Sequence, residues 1–577
     1  MEKGYFALVL HAHLPYVRHP EYDSFLEEDW YFEALTETYL PLLDKFERLL
    51  NDGVKYRVTI SLSPTLLSMF QDRLLQYRYL RHINKLIDLA NREIERTQWV
   101  PEFNRIAYFY KDMFMKARYL FEEKYHCNIT LGFKRLQDEG CLEVITCAAT
   151  HGFLPLLDIN RNAVRAQIRI ASDYYKNIFG RTPKGFWLPE CAYRPRYPWT
   201  PPLKDFAGEP VLRKGVEEFL SENGLRYFFI DSHLLKGGKA IGVYKDRFEA
   251  LERLWERFAA QYQERPEEED KSPHQVYLVS SAPETKRPVA AFTRDPQTGL
   301  QVWSGEWGYP GDGNYLDFHK KRFPGGLRYW RVTSAKADLA DKEPYHPEWI
   351  AGRLRDQADH FVSMVVGLLS EFKEREGRPG MVVAPYDTEL IGHWWFEGPE
   401  WLYQVLKRFH DHTQVSLSPG GEILTAVAPR AVISLPEGSW GEGGYHWIWL
   451  NEMNDWTWRH VYAAEQDMEE MARSWSGDPD PRLQDLLKQC GRSLFLLESS
   501  DWQFLISTFS ARDYAELRLT MHNDDFRRLA AMTRRYAAER DLPPEEWNFL
   551  HLCRERDDIF PDIDPRWWAR VEFPPAE

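Results

Sequence analysis

The sequence predicts an α/β fold organised as a barrel of parallel strands. Two observations carry that expectation. Seven short apolar runs recur between Tyr5 and Ala384, with helical spacing between several of them, and all seven end in polar, histidine-rich or acidic residues. Strand, helix, strand in succession lays down a parallel sheet. In a parallel barrel the C-terminal strand ends converge on one mouth, where chemistry sits, whereas an open doubly wound sheet strings them along a crevice.

The first run, Tyr5 to Leu10, leads into His11-Ala12-His13-Leu14-Pro15-Tyr16. Two histidines one residue apart on an extended chain lie on the same side. From about Glu27 to Leu50, the apolar positions Leu35, Tyr39, Leu42, Leu43, Phe46, Leu49 and Leu50 have helical spacing, and Asn51-Asp52-Gly53 supplies the stop. A second strand, Tyr56 to Ser61, ends at Ser63-Pro64. Thr65 to Gly140 is helical and too long for one crossover, so it reads as an insertion, clearest at Ile83 to Ile94 and Met113 to Tyr125.

The third strand, Glu143 to Ala148, runs to Thr150-His151-Gly152-Phe153. The fourth, Phe186-Trp187-Leu188, is closed by Pro189, which has no N–H for the ladder, and Glu190 stands at its exit. Leu225 to Ile230 ends at Asp231-Ser232-His233, and Val289 to Thr293 ends at Arg294-Asp295. Between these two strands lie a charged, helical piece (Arg247 to Gln263) and the acidic run Glu264 to Asp270, which reads as a solvated loop. The seventh strand, Met381 to Ala384, runs into Pro385-Tyr386-Asp387-Thr388-Glu389 and so repeats the grammar of the fourth.

Beyond Trp401 the character changes. A β-like part (Val415 to Ile433) precedes the aromatic loops Gly438-Ser439-Trp440-Gly441 and Trp447-Ile448-Trp449, and helices follow at about 457–474, 482–497 and 511–540. The expected organisation is a barrel over 1–64 and 141–405, a helical insertion at 65–140 and a charged insertion at 234–288 near the active site. A mainly helical C-terminal domain, 406–577, would contribute aromatic loops to the cleft.

Composition narrows the function. The net charge of −15 argues against a general nucleic-acid binder, which needs a basic surface to displace counterions from phosphates. The 22 tryptophans are unusual, and their clusters near polar residues suit partly wet pockets. The six cysteines show no C-x-x-C pair, which fits reduced thiols in a cytoplasmic protein. The N-terminus lacks the plan of a signal peptide, and no apolar stretch reaches the ~18 residues of a membrane span.

Glu190 and Asp387 are the pair best placed for catalysis. Glycosidic bond cleavage needs a carboxylate on each side of the scissile bond, and strand ends at a barrel mouth can supply both. A rival reading rests on His11, His13, His151, His233 and His393, because barrel metallohydrolases hold zinc or iron with His-x-His and further strand-end ligands. Spacing alone leaves sugar-binding histidines and metal ligands equally open. Neither H-E-x-x-H nor a Walker-type phosphate loop is present.

Four motifs bear on that choice: His11-Ala12-His13-Leu14-Pro15-Tyr16, Trp187-Leu188-Pro189-Glu190-Cys191-Ala192-Tyr193, Tyr386 through Trp395, and Ser500-Asp501-Trp502. Together with Gly308-Tyr309-Pro310-Gly311-Asp312, Tyr329-Trp330-Arg331 and the tail Phe560-Pro561-Asp562-Ile563-Asp564, they resemble glycoside hydrolase family 57, and within it the 1,4-α-glucan branching enzymes. The resemblance covers almost the whole chain. It implies a (β/α)7 barrel with a helical insertion and an all-α C-terminal domain, and a retaining mechanism without metal or other cofactor. The partner it implies is an α-1,4-glucan such as amylose, amylopectin or glycogen, handled by a monomer or small homo-oligomer.

In that resemblance Glu190 aligns with the nucleophile and Asp387 with the general acid/base, so the site is expected to raise the pKa of Asp387. Arg294, Gly311, Trp440 and Asp501 resemble the family's glucan-binding set, and His11, His13 and Trp303 its pocket lining. His151, Asp231, His233, His393, Trp395 and Trp502 complete the expected substrate-binding residues. The intermediate can be resolved by water, a 4-hydroxyl or a 6-hydroxyl, giving an α-amylase, a 4-α-glucanotransferase or a branching enzyme. A non-catalytic glucan-binding protein is a further alternative. Water exclusion in the family falls to a loop with an aromatic tip, for which Tyr244, Tyr262 and Tyr277 are the candidates here.

Overall fold

The computed structural model describes residues 3–157, 159, 162–237, 249–258, 266–268, 271–282, 287–305, 307–334, 336–412 and 414–569. All seven expected strands form: β1 (Gly4–Ala12), β2 (Val58–Leu62), β3 (Leu142–Cys147), β4 (Gly185–Trp187), β5 (Tyr227–Ile230), β6 (Val289–Thr293) and β7 (Gly380–Asp387). They follow one another in the sheet in chain order, with the last beside the first: β7-β1-β2-β3-β4-β5-β6. The registers are parallel, with Phe6 opposite Val382, Thr146 opposite Phe186, Gly185 opposite Tyr227 and Phe228 opposite Ala291. Past β6, the Asp295 N–H donates to the Val383 carbonyl of β7 at 2.9 Å. Short strands at Val415–Leu417 and Tyr277–Val279 pair with β1 and β6, the second of them antiparallel.

These strands read easily because a parallel strand is buried on both faces and needs no polar alternation. In β1 every residue but Tyr5 is buried. Proline behaves differently at its two positions. Pro189 ends β4, but Pro385 sits inside β7 opposite Val9, and the strand continues to Asp387. Val383 turns its carbonyl to Asp295, and residues two apart present their backbone groups to the same side. The N–H that Pro385 lacks is therefore on the side away from β1, and the β1 ladder is intact.

The chain divides into two compact units, and the division passes through β2 and β3. The first unit comprises Met1–Ile60, Met69–Val144 and Arg294–Ile423. It holds β1, β7 and the helices Arg73–Arg96, Pro101–Tyr119, Thr130–Asp138, Ile350–Glu376 and Gly398–Asp411. Asp72 caps the first of these, accepting from Leu75 N at 2.8 Å. In the core, Phe6 of β1 stacks on Phe409 with centroids 4.7 Å apart and meets Phe361 edge-on at 5.8 Å, tying both long helices to the strand. The helix after β1 is interrupted by a π turn at Leu35–Tyr39.

The second unit comprises Ser61–Ser68, Ile145–Thr293 and Leu424–Glu577. It holds β4 to β6 and the helices Asp455–Trp475, Pro481–Leu497, Asp501–Thr508, Arg512–Glu539 and Pro544–Arg556. Three of the five match the helical periodicity of the sequence. Asp501–Thr508 is too short to show it, and Pro544–Arg556 begins at a proline that reads as punctuation but is well suited to a first helical position. The stretch that reads as β-like, Val415 to Ile433, carries a helix, Gly420–Ala426, between its two short strands. Of the charged insertion, Glu249–Phe258 is helical. Tyr244, Tyr262 and most of the acidic run lie outside the described residues. Tyr277 opens a short strand and is buried. Among the described residues no helix is long and apolar enough to cross a membrane.

Candidate active site

In the second unit, Glu190 leaves β4 on a tight turn. Pro189–Cys191 forms a 3₁₀ turn in which Glu190 and Cys191 take left-handed φ values of 59° and 48°. For residues with a Cβ such conformations cost on the order of 1–3 kcal/mol each and persist only where the surroundings enforce them. Here Cys191 N donates to Leu188 O at 2.9 Å, Tyr193 and Gly438 exchange backbone hydrogen bonds at 2.8 and 3.0 Å, and Trp440 N donates to Glu190 O at 3.1 Å. Glu190 is only 8% exposed, and the Trp440 indole N–H donates to its Oε2 at 2.7 Å. A donor held against a desolvated carboxylate favours the ionised form.

His151 follows β3 and is also left-handed, at φ 57°. Its Nδ1 lies 3.9 Å from Glu190 Oε1 and 3.0 Å from Ser500 Oγ. Ser500 N donates to the His151 carbonyl at 3.3 Å, and Ser499 Oγ donates to Asp501 Oδ2 at 2.6 Å. The motif Ser500-Asp501-Trp502 thus reaches the Glu190 turn through His151. Burial pushes the Cys147 thiol well above its usual range, with the charges of Glu190 and Asp501 adding to it. Glu498 accepts from Gln167 Nε2 at 2.6 Å, and burial raises its carboxyl to about 8. Asp231 and His233 sit together after β5, with His233 Nδ1 3.6 Å from Asp231 Oδ2.

In the first unit, Asp387 is the last residue of β7 and pairs in register with His11. The His11 and His13 rings lie nearly parallel, 6.1 Å apart, on one side of the chain. Glu389, one turn beyond Asp387, accepts from His13 N at 3.2 Å and from the Tyr39 hydroxyl. Burial raises the Glu389 carboxyl to about 8, against the pull of the Tyr39 bond and with the Asp387 charge adding to the rise. Tyr39 belongs to the π turn, as do Glu37, which meets His393 Nδ1 at 3.0 Å and pairs with Arg328, and Thr38, whose Oγ1 accepts from His393 N at 3.0 Å. π turns recur at functional sites because the extra residue re-aims side chains. Gly392, at φ 127°, lies so close to this turn that a Cβ would stand 2.1 Å from Glu37 O.

The other expected residues divide by surroundings. Arg294 is buried directly after β6, Asp295 caps the helix Pro296–Trp303 through Thr298 N at 2.7 Å, and Trp303 is buried at that helix's end. Gly311 closes the 3₁₀ turn Tyr309–Gly311, whose neighbour Asp312 pairs with Arg353. Trp395 is 1% exposed and packs among Tyr315 and Trp401 at 5.8 and 5.1 Å. Trp502 is likewise fully buried, its indole donating to Leu496 O at 2.7 Å. Glu389, Tyr39 and Ser500 touch expected site residues without being among them; Glu389 and Ser500 stand inside the quoted motifs, and Tyr39 shows only as a helical apolar position.

A barrel of parallel strands with a carboxylate at the exit of two of them is the class these features define. Residues 7–436 match the sequence profile of glycosyl hydrolase family 57, and residues 460–568 that of the 1,4-alpha-glucan branching enzyme C-terminal region. The chain belongs to glycosyl hydrolase family 57. It is 39% identical over 558 residues to a 1,4-alpha-glucan branching enzyme of Thermococcus kodakarensis, covering 97% of this chain and 77% of that one. The crystal structure of that archaeal enzyme superposes with a TM-score of 0.88 at 37% identity, covering 100% of this chain and 98% of that chain. An α-amylase of Thermotoga maritima superposes at 0.81 with 32% identity, covering 99% and 100%. With the strand row described above, the fold is that of a (β/α)7 barrel with a helical C-terminal region.

Proposed function

We propose that the protein is a 1,4-α-glucan branching enzyme. The observation that carries this reading is the match of residues 460–568 to the branching-enzyme C-terminal profile, directly downstream of the family 57 match at 7–436. Glu190 attacks the anomeric carbon of an α-1,4-linked glucosyl unit while Asp387 protonates the departing 4-oxygen, leaving a covalent glucosyl-enzyme and a free chain end. Asp387, now a base, takes the proton of a 6-hydroxyl on an acceptor glucan. That oxygen displaces Glu190 and an α-1,6 branch forms with net retention. The indole donor on Glu190 supports its role as the ionised nucleophile. Six free thiols, five of them buried, support work in a reducing compartment such as the cytoplasm.

Incubation with amylose, followed by reducing-end measurement before and after enzymatic debranching, tests the reading. A branching enzyme yields chain ends that appear only on debranching. New reducing ends without branches mean an amylase, and redistributed linear chains a 4-α-glucanotransferase. Glu190→Gln is expected to abolish both cleavage and branching, and substantial residual activity would refute the assignment of the nucleophile.

A further inference from the structure

The turn that carries Asp387 also carries two adjacent tryptophans with opposite fates. Trp395 is a core side chain, whereas Trp394 keeps 37% of its surface exposed. The turn is closed on itself: Trp394 N donates to Glu389 O at 3.2 Å, Trp395 N to Leu390 O at 2.9 Å, and Gly392 N to Trp395 O at 2.9 Å. Trp394 is thereby held to the residues that hold Asp387, without a flexible link between them. Its indole stacks on Phe318, with centroids 4.4 Å apart and planes 27° from parallel. His393 meets the Phe318 ring edge-on at 5.3 Å, and its Nδ1 is fixed by Glu37. The cations of Arg328 and Lys321 lie 5.8 and 6.0 Å from the Phe318 centroid.

An aromatic pair of which Trp394 keeps more than a third of its surface in solvent is a flat apolar platform. A pyranose ring has the matching chemistry, with an apolar C–H face and a girdle of hydroxyls. Exposing such a pair carries a hydration cost that a purely structural stack would avoid by burial, as Trp395 does.

We propose that Trp394, supported by Phe318, is a binding platform for the acceptor glucan chain. The inference rests on the branching-enzyme reading. The acid/base that protonates the departing oxygen later deprotonates the incoming hydroxyl, so the acceptor must be held on the side of the sugar that this residue serves. The turn that carries Trp394 follows directly on Asp387, so a platform there stands at the same end of β7. Water needs no platform, so losing it shifts the outcome of the glucosyl-enzyme from transfer towards hydrolysis.

The test compares wild type, Trp394→Ala and Trp394→Phe on amylose, counting cleavage events and branch points separately and varying the acceptor concentration. Trp394→Ala is expected to lower the fraction of cleavages that end in a branch, on the order of fivefold, and to raise the apparent KM for acceptor. Trp394→Phe, which keeps a ring on Phe318, should restore most of both. Phe318→Ala should reproduce the loss in a second background, which keeps the test decisive if Trp394→Ala folds poorly. An unchanged branch fraction in folded Trp394→Ala or Phe318→Ala, including an equal fall in cleavage and branching, would overturn the platform. Wild-type protein that forms no branches would instead overturn the underlying reading of function.

Discussion

Replacing Trp440 with phenylalanine keeps a ring in place against Trp187, which it meets edge-on at 5.4 Å, and removes the indole N–H that Glu190 Oε2 accepts at 2.7 Å. The acceptor is a buried carboxylate, so the bond belongs to the charge-assisted class, worth about 1.5–3 kcal/mol. Its loss disfavours the charged carboxylate by that amount. The acidic limb of kcat/KM against pH reports the ionisation of the free enzyme's essential base or nucleophile. In Trp440→Phe that limb should move to higher pH, while activity near neutral pH falls less. The assay is initial-rate branching on amylose across pH, with a melting curve at each end to show that the variant remains folded. If the acidic limb stays within about 0.3 unit of wild type, the indole does not set the charge of Glu190 and the proposed role of Trp440 is wrong.

The remaining predictions concern burial. Glu389 is raised from 4.5 to about 8 in the folded protein, so the stability it contributes is complete below its unfolded value and is lost as pH rises towards 8. Glu389→Gln, which keeps the oxygen that Tyr39 and His13 donate to, should flatten the fall in urea midpoint between pH 5 and pH 8. An unchanged slope would show that Glu389 is already ionised in the native state. Trp395→Ala opens the cluster with Tyr315 and Trp401 and should cost about 3–5 kcal/mol in chemical denaturation; a cost below about 1 kcal/mol would mean that the ring is not core. Of the six free cysteines only Cys127 is not buried, so a thiol reagent should titrate one group in the native protein and the other five only after unfolding.

Much of the barrel was legible because its strands are buried on both faces. Val289–Thr293 was delimited to the residue, and β1 announced itself as an apolar run ended by His11 and His13. β7 was read three residues short at its C-terminal end because Pro385 looked like the stop that Pro189 is. A chain read without its neighbours does not show which side of a strand is already without partners. The carboxylates were legible for the same reason as the strands, each standing where an apolar run ends. Their partners were not. Trp440 is 250 positions from Glu190, Ser500 is 349 from His151, and Tyr39 is 350 from Glu389. No local pattern encodes such pairings, and none distinguishes Trp394 from Trp395, which share a neighbourhood in sequence and differ entirely in burial.

The π turn at Leu35–Tyr39 makes the turn after Asp387 depend on a count of residues. Glu37, Thr38 and Tyr39 engage His393 and Glu389 together because one surplus residue has been absorbed into the helix. Deleting any single residue of the five would restore ordinary helical winding and swing part of this set by about 100°, so that its contacts would fail together. Substitutions here can be compensated side chain by side chain, but a change in length cannot. Over evolutionary time this short segment should therefore drift in composition while holding its length, the opposite of what surface loops do.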